Sequence, residues 1–341
     1  MVNQLYYNSC HAILEYDEMQ LLTDIGYDVF ANGCYNDPRG HVSLPRPAIK
    51  GAIYHKDFFE LSRNNPKTQL PNELIEPFEA LIFMSGESEE VLIANWENIK
   101  HKRVIWRTIG QSTPQIERKM ARLREQGLQI VRYSPKEKNI PEYLGEDALI
   151  RFYKDEDVYK DWTGEDERVI NFTQSLKGRS DFCHYDEIVG SLLDFPGAIY
   201  GSGNNDLGYM NGGEVTFEKQ IELYQKSRCF VYAGSYPASY TLAFVEAFMT
   251  GIPVVAFSKK VAQQRFEQFD FYEVDSIITD GVDGFIVDTI PEARQKIEFL
   301  LKNKHEARII SHNARKKALE LFSKAAIKEQ WAKFLKEGKK V

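Results

Sequence analysis

The sequence predicts an α/β protein of two domains, each built on a mostly parallel sheet. Three observations carry this. A chain of 341 residues has room for two domains of roughly 100–200 residues each. Short apolar strand-like runs alternate with helix-like runs along the whole length, the pattern of parallel strands joined by helical crossovers. A polar, charged stretch at 154–167, broken by Thr163-Gly164, separates two complete rounds of that alternation.

The first round opens with a strand at 4–8, a loop at 9–14 and a helix at 15–25, where Met19, Leu22 and Ile25 recur at helical spacing. Gly26 suits the helix C-cap, and 27–30 reads as the next strand. The stretch 37–69, rich in Pro, Asn and charge, reads as irregular. A strand at 80–84, a helix at 91–99, a strand at 104–106, a loop at 107–114, a charged helix at 115–126 and a strand at 129–133 complete the first domain. The second round starts with a strand at 168–173 and a polar loop at 176–181, then a helix through Leu193. A strand at 198–200 runs into Gly201-Ser202-Gly203. A helix at 217–226, a strand at 229–233 and an apolar helix at 240–250 follow. Gly251 and Pro253 stop that helix before a strand at 254–257. A turn and short strand occupy 277–286, and the chain is helical and basic from Pro291. The domain limits are therefore 1–155 and 156–341, with the last helix able to return to the first domain.

Composition is that of a globular protein, 43% hydrophobic and 27% charged. The 18 Tyr and 21 Phe serve cores and sugar sites alike, so their number discriminates nothing. A net charge of −7 disfavours nucleic acid as a partner. The stretch 100–138 runs against this acidity with eleven Lys or Arg to three Glu, and Arg118, Arg122 and Glu125 share one helix face beside Lys119. A solvated face explains such a run most simply. An anionic membrane surface is the next reading, and a nucleic acid, less favoured, the third. Cys10, Cys34, Cys183 and Cys229 form no C-x-x-C pair and read as reduced thiols. With neither a signal-like N-terminus nor an apolar run of membrane-spanning length, the expected location is cytoplasmic, or peripheral at a membrane. Walker, zinc and Ser-His-Asp patterns are missing, and His184 has no second ligand at metal spacing, so no metal is expected.

The most informative segment is Y-P-A-S-Y-T-L-A-F-V-E-A-F-M-T-G-I-P-V-V-A-F at 236–257. A loop through Ser239, Tyr240, Thr241 and Leu242 ends at a helix N-terminus, where free amides and the helix dipole favour a diphosphate. Glu246 lies one to two turns further in, where a carboxylate can accept two hydrogen bonds from a sugar diol; a helix-surface ion pair is the plainer account. The segment resembles the donor-binding region of retaining glycosyltransferases of the GT-B fold, the family-4-like group also called glycosyl transferases group 1. That family carries two glutamates eight positions apart followed by Ala-x-x-x-Gly-x-Pro-Val-Val. Here Glu246-Ala247 and 251–255 match, whereas Ala238 stands where the first glutamate belongs.

Three further segments agree in order. Tyr200-Gly201-Ser202-Gly203 is similar to the family's strand-Gly-x-Gly turn, and 280–287 to its Asp-Gly-x-x-Gly-x-x-Val segment. Lys177-Gly178 falls where the family has Lys-Gly, with Gln174 nearest to the family's arginine and Arg179 an alternative from the other side. The resemblance implies two Rossmann-like domains facing across a cleft, a nucleotide-sugar donor (UDP- or GDP-sugar) on the C-terminal domain and a glycan acceptor, lipid-linked or other, on the N-terminal one. It also implies retention of anomeric configuration, and neither a metal nor a separate cofactor. Lys177 would hold the diphosphate and Glu246 the ribose, with Gln174, Arg179, Gly201, Gly203, Ser239, Tyr240, Thr241 and Leu242 around the donor. On the acceptor side His11, Arg107 and Gln111 follow predicted strands, and His11 joins Lys177 and Glu246 as a candidate for catalysis. Two other readings share the fold: a sugar-nucleotide epimerase, for which no acid–base set is evident, and a non-catalytic nucleotide or carbohydrate binder, which Ala238 makes conceivable.

Overall fold

The computed structural model describes residues 3–9, 11–31, 49, 52–54, 69–84, 86, 88–110, 112–264 and 269–338. They divide into two compact units, 1–152 with 327–341, and 153–326.

The first unit holds a seven-stranded sheet: β1 (Asn3–Asn8), β2 (Tyr27–Ala31), β3 (Ala52–Tyr54), β4 (Ala80–Met84), β5 (Arg103–Arg107), β6 (Gln129–Arg132) and β7 (Ala148–Leu149), in the order β3-β2-β1-β4-β5-β6-β7. Every pairing is parallel, as in Leu5 opposite Val29 on one side and Ala80 on the other. Strands covered on both faces must be apolar throughout, and Ala80–Met84 is buried at all five positions. Tyr6, Leu81, Phe83, Trp96, Trp106, Met120 and Ile130 form one core. The predicted irregular stretch 37–69 lies almost wholly outside the described residues, and the part within them contains the backbone of β3. The helix expected at 15–25 begins at Ala12, because His11 takes the N-cap position: its Nδ1 accepts from the Leu14 amide at 3.4 Å.

The second unit holds a six-stranded sheet: β8 (Asp166–Phe172), β9 (Gly197–Tyr200), β10 (Asn211–Gly213), β11 (Ser227–Tyr232), β12 (Val254–Phe257) and β13 (Phe285–Val287), in the order β10-β9-β8-β11-β12-β13 and again all parallel. Its core joins Val169, Ile199, Val231, Val255 and Phe257 of the strands to Ile297 and Leu300 of the helix Ile290–Lys302. The chain thus has two Rossmann-like domains, as its alternation predicts. The stretch 154–167 is no free linker. Lys154 bridges to Ser323, Trp162 packs on the core, and β8 begins at Asp166.

The apolar helix Leu242–Thr250 ends as its Gly251-x-Pro253 signal requires. Gly251 sits at φ 88°, its amide bonding to the carbonyls of Ala247 (3.0 Å) and Phe248 (3.2 Å), and that of Ile252 to Ala247 (3.2 Å). A Cβ here would lie 3.1 Å from Ser311 Oγ and 3.3 Å from the Ser311 carbonyl oxygen. Gly251→Ala therefore combines left-handed strain with a backbone contact, and is expected to cost more than about 1 kcal/mol. Urea unfolding measures this; a variant with the wild-type midpoint would show that the helix end yields freely.

Candidate functional site

In a doubly wound sheet, ligands meet the loops that leave the carboxyl ends of the strands. In the second unit β9, β8 and β11 are neighbours, so the loops at 201–204, 173–179 and 233–241 share one end of the sheet. Asn204 pins the first two together. Its Oδ1 accepts from the Leu176 amide at 2.9 Å, while its Nδ2 donates to the carbonyls of Thr173 at 2.7 Å and Gly201 at 3.2 Å. The Ser175 amide adds a bond to the Ser202 carbonyl at 2.7 Å. This approach accounts for both glycines. A Cβ on Gly201 would sit 2.9 Å from the Thr173 carbonyl oxygen, and one on Gly203 2.2 Å from Ser175 Oγ. The two glycines permit this close spacing of the loops.

The third loop is tied in by Tyr236, whose amide donates to the Phe182 carbonyl at 2.9 Å and whose ring stacks on Phe182 at 6.5 Å. Leu176 is buried and anchors the 173–179 loop, whereas Lys177 and Arg179 stay exposed. Lys177 Nζ lies 3.9 Å from Asp206 Oδ2, a loose surface pair, and Arg179 reaches the Gln174 carbonyl at 3.4 Å. Gln174 and Arg179 are thus joined to each other.

At the helix start the structure corrects part of the expectation. Ser239 and Tyr240 are buried; the Ser239 carbonyl accepts from the Glu273 amide, and the Tyr240 ring packs edge-on against Phe322. The Thr241 amide is spent on the Tyr232 hydroxyl at 3.1 Å. Thr241 is the N-cap, yet its side chain makes no capping hydrogen bond, and the first turn holds no acidic residue. The amides left without an intrahelical partner are therefore those of the first turn from Leu242 onward, two residues later than the helix start at Tyr240 that the sequence implied.

Glu246 is the larger correction. Rather than facing a ligand, its carboxylate is 3% exposed and used up by the protein. Lys154 Nζ pairs with Oε1 at 2.8 Å, and the Tyr159 hydroxyl donates to the same oxygen at 3.2 Å. Gln220 Nε2 at 3.0 Å and the Tyr224 hydroxyl at 3.2 Å donate to Oε2. Burial and the Glu246 charge hold the Tyr224 phenol well above its usual range, so it remains a donor. A buried charge has to be paired in this way. Lys154, Tyr159, Gln220 and Tyr224 were invisible as a set in the sequence, because Lys154 sits in a run that looks solvated.

In the first unit, Arg107 is not available to an acceptor. It is fully buried; Nε donates to Glu18 Oε1 at 2.7 Å, Nη1 to the Ile150 carbonyl at 2.6 Å and Nη2 to that of Arg151 at 3.4 Å. The guanidinium also lies over the rings of Phe152 and Trp331, while the Tyr7 hydroxyl takes the other Glu18 oxygen at 2.5 Å. The catalytic reading of His11 meets the helix cap described above, and Gln111 lies outside the described residues. Several cations of the 100–138 run meet acidic side chains. Lys100 and Arg122 end on Glu97, Lys102 on Glu76, Arg118 on Glu142, Arg124 on Asp147 and Arg132 on Glu117. Arg103 caps the last helix through the carbonyls of Phe334 and Leu335. His184 is buried, and no group of three metal-ligating side chains occurs among the described residues. Among them, too, no helix is long and apolar enough to cross a membrane. Cys183 and Cys229 are buried free thiols, and burial pushes that of Cys229 far up, as for an inert core sulfur; Cys10 and Cys34 lie outside the described residues.

No protein-family model matches the chain, and no curated protein matches it in sequence. Solved structures do match in fold. Alr3699/HepE of Anabaena, solved with UDP and glucose, superposes with a TM-score of 0.68 at 13% identity, covering 98% of this chain and 100% of that one. A glycosyltransferase from Rickettsia africae gives 0.68 at 14% identity over the full length of both chains. The pneumococcal O-GlcNAc transferase GtfA, solved with UDP and GlcNAc, gives 0.55 at 12% identity over 76% of this chain and 56% of its own. The chain has the two-domain Rossmann-like fold of GT-B glycosyltransferases.

The Glu246 network sets a test. Glu246→Ala leaves Lys154 buried without its counter-charge, which costs about 3–5 kcal/mol. Adding Lys154→Met removes the stranded charge, so the double variant is expected to be more stable than Glu246→Ala alone. Denaturant unfolding of the two singles and the double measures the coupling. Additive losses would mean that the pair is not coupled.

Proposed function

We propose that this protein is a glycosyltransferase whose nucleotide-sugar donor binds the second unit, at the end of the sheet where the loops at 173–179, 201–204 and 233–241 meet. The carrying observation is the convergence there of an uncapped helix N-terminus, at Leu242, with the exposed cations Lys177 and Arg179 on a loop that Asn204 holds in place. Fixed amides and positive side chains form a binding site for a diphosphate. That folds of this kind have been captured with UDP supports a uridine nucleotide as the first donor to test.

Charge builds on the donor phosphate as the glycosidic bond breaks. The first-turn amides, Lys177 and Arg179 are oriented before that charge appears, and one such donor is typically worth about 3–4 kcal/mol at the transition state. Gln174 holds Arg179 in reach through its carbonyl. The resemblance to family-4-like enzymes supports retention of configuration, with these cations in place of a metal at the diphosphate and no cofactor beyond the donor. Glu246 then acts by fixing the helix rather than by touching the ribose. The acceptor is a glycan, and the pairing of the basic run favours a soluble one over one on an anionic membrane. Ala238 favours one second reading, a binder without turnover, because it removes the carboxylate that the family places against the donor sugar.

Calorimetry with UDP-sugars and GDP-sugars tests the proposal. Lys177→Ala and Arg179→Ala are each expected to weaken UDP about tenfold or more while leaving uridine nearly unchanged, since a cation acts on the phosphates and not on the base. Equal losses for UDP and uridine would make Lys177 structural. Absence of nucleotide-sugar binding by the wild type would overturn the function, and binding with no transfer across a glycan panel would select the binder.

A further inference from the structure

The helix Lys304–Phe322 carries Arg308, Ser311, His312 and Arg315 at i, i+3, i+4 and i+7, on one face. That face, with Asp161, Trp162 and Thr250, lines a pocket of about 330 Å³, a volume at the lower bound for small-molecule sites. The pocket lies in the second unit but away from the donor loops. Thr250 is the last residue of the nine-residue helix whose first turn belongs to the proposed donor site, so the two ends are roughly 13 Å apart at about 1.5 Å per residue.

The walls are built. Trp162 is held by a bond from its Nε1 to the Ser227 carbonyl at 2.8 Å, and it lies so close to Gly164 that a Cβ there would meet the ring at 2.1 Å. Arg315 is committed to the carbonyls of Tyr159, Met249 and Glu156, and the Thr250 hydroxyl to that of Glu246. Arg308 and His312 are different. Both are exposed, and among the described residues neither makes a hydrogen bond or an ion pair. Asp161 supplies one negative charge on the rim, against the two arginines. The pocket therefore presents two uncommitted nitrogen-bearing groups one helical turn apart, beside an aromatic wall.

We infer that this pocket is a second ligand site, taking a small organic phosphomonoester with its phosphate on Arg308 and His312 and its organic part against Trp162. A guanidinium matches phosphate oxygens in a bidentate fork, and an imidazole adds a second donor direction. The Trp162 wall and the room beyond the phosphate favour an ester over the bare ion.

Calorimetry at constant ionic strength tests this with glucose 6-phosphate, inorganic phosphate and glucose on the full chain. The ester is expected to bind saturably and more tightly than phosphate, and glucose not at all. Arg308→Ala and His312→Ala should each weaken the ester about tenfold with unchanged circular dichroism, since neither side chain supports the fold. Lys177→Ala should bind it as the wild type does, and saturating UDP should not displace it. No saturable ester binding at millimolar concentration, affinity unaltered by both variants, phosphate binding as tightly as the ester, or displacement by UDP would each overturn the assignment.

Discussion

A carboxylate buried in the middle of an apolar helix governs the second unit. Glu246 cannot be left uncompensated, and its partners come from two other parts of the chain: Lys154 and Tyr159 from the segment before β8, Gln220 and Tyr224 from the helix Phe217–Lys226. Satisfying one charge thus fixes the position of the helix Leu242–Thr250 against both. Arg315 reinforces the same seam by joining the carbonyls of Glu156 and Tyr159 to that of Met249 at the helix end. The first turn of that helix belongs to the proposed donor site, so the network acts on that site without entering it. Such pairs contribute little net stability compared with an apolar core of equal volume, but they are costly to break.

The first unit uses the same device. Arg107 and Glu18 are paired beneath Phe152 and Trp331, and Arg132 takes both oxygens of Glu117 at 2.6 and 2.8 Å. Trp331 belongs to the terminal helix Lys324–Glu337, which packs with this unit from Ile327 onward. Arginine suits these places because its planar fork satisfies a carboxylate and several carbonyls together. Within 100–138, the buried cations Arg107 and Arg132 are therefore architectural, their charge ending on Glu18 and Glu117.

Much of the fold was legible because its signals are local. The strands Ala80–Met84 and Val254–Phe257 and the helix Phe217–Lys226 fall where the sequence places them: an apolar run and a Gly-x-Pro stop each act over a few residues. The two-residue β7 and three-residue β10 are too short to show a period, and the start of the first helix was hidden because histidine is an uncommon cap. Of the proposed site, the loops follow from the strand order, and the cations Lys177 and Arg179 from the resemblance to the family. The fate of Glu246 and Arg107 could not. Whether a charged side chain faces a ligand or the interior depends on partners such as Lys154 and Trp331, and no local pattern names them. Asn204, which sets the spacing of the two glycine-bearing loops, carried no motif signal either.

The central claim is that the first turn from Leu242 and the loop at 173–179 form the phosphate end of a donor site. Hydrogen–deuterium exchange with and without UDP addresses it most directly, because it reads those amides themselves. UDP is expected to slow exchange at 242–244 and 173–179 in the second unit. Protection confined to the first unit, or none at 242–244 under saturating UDP, would contradict it.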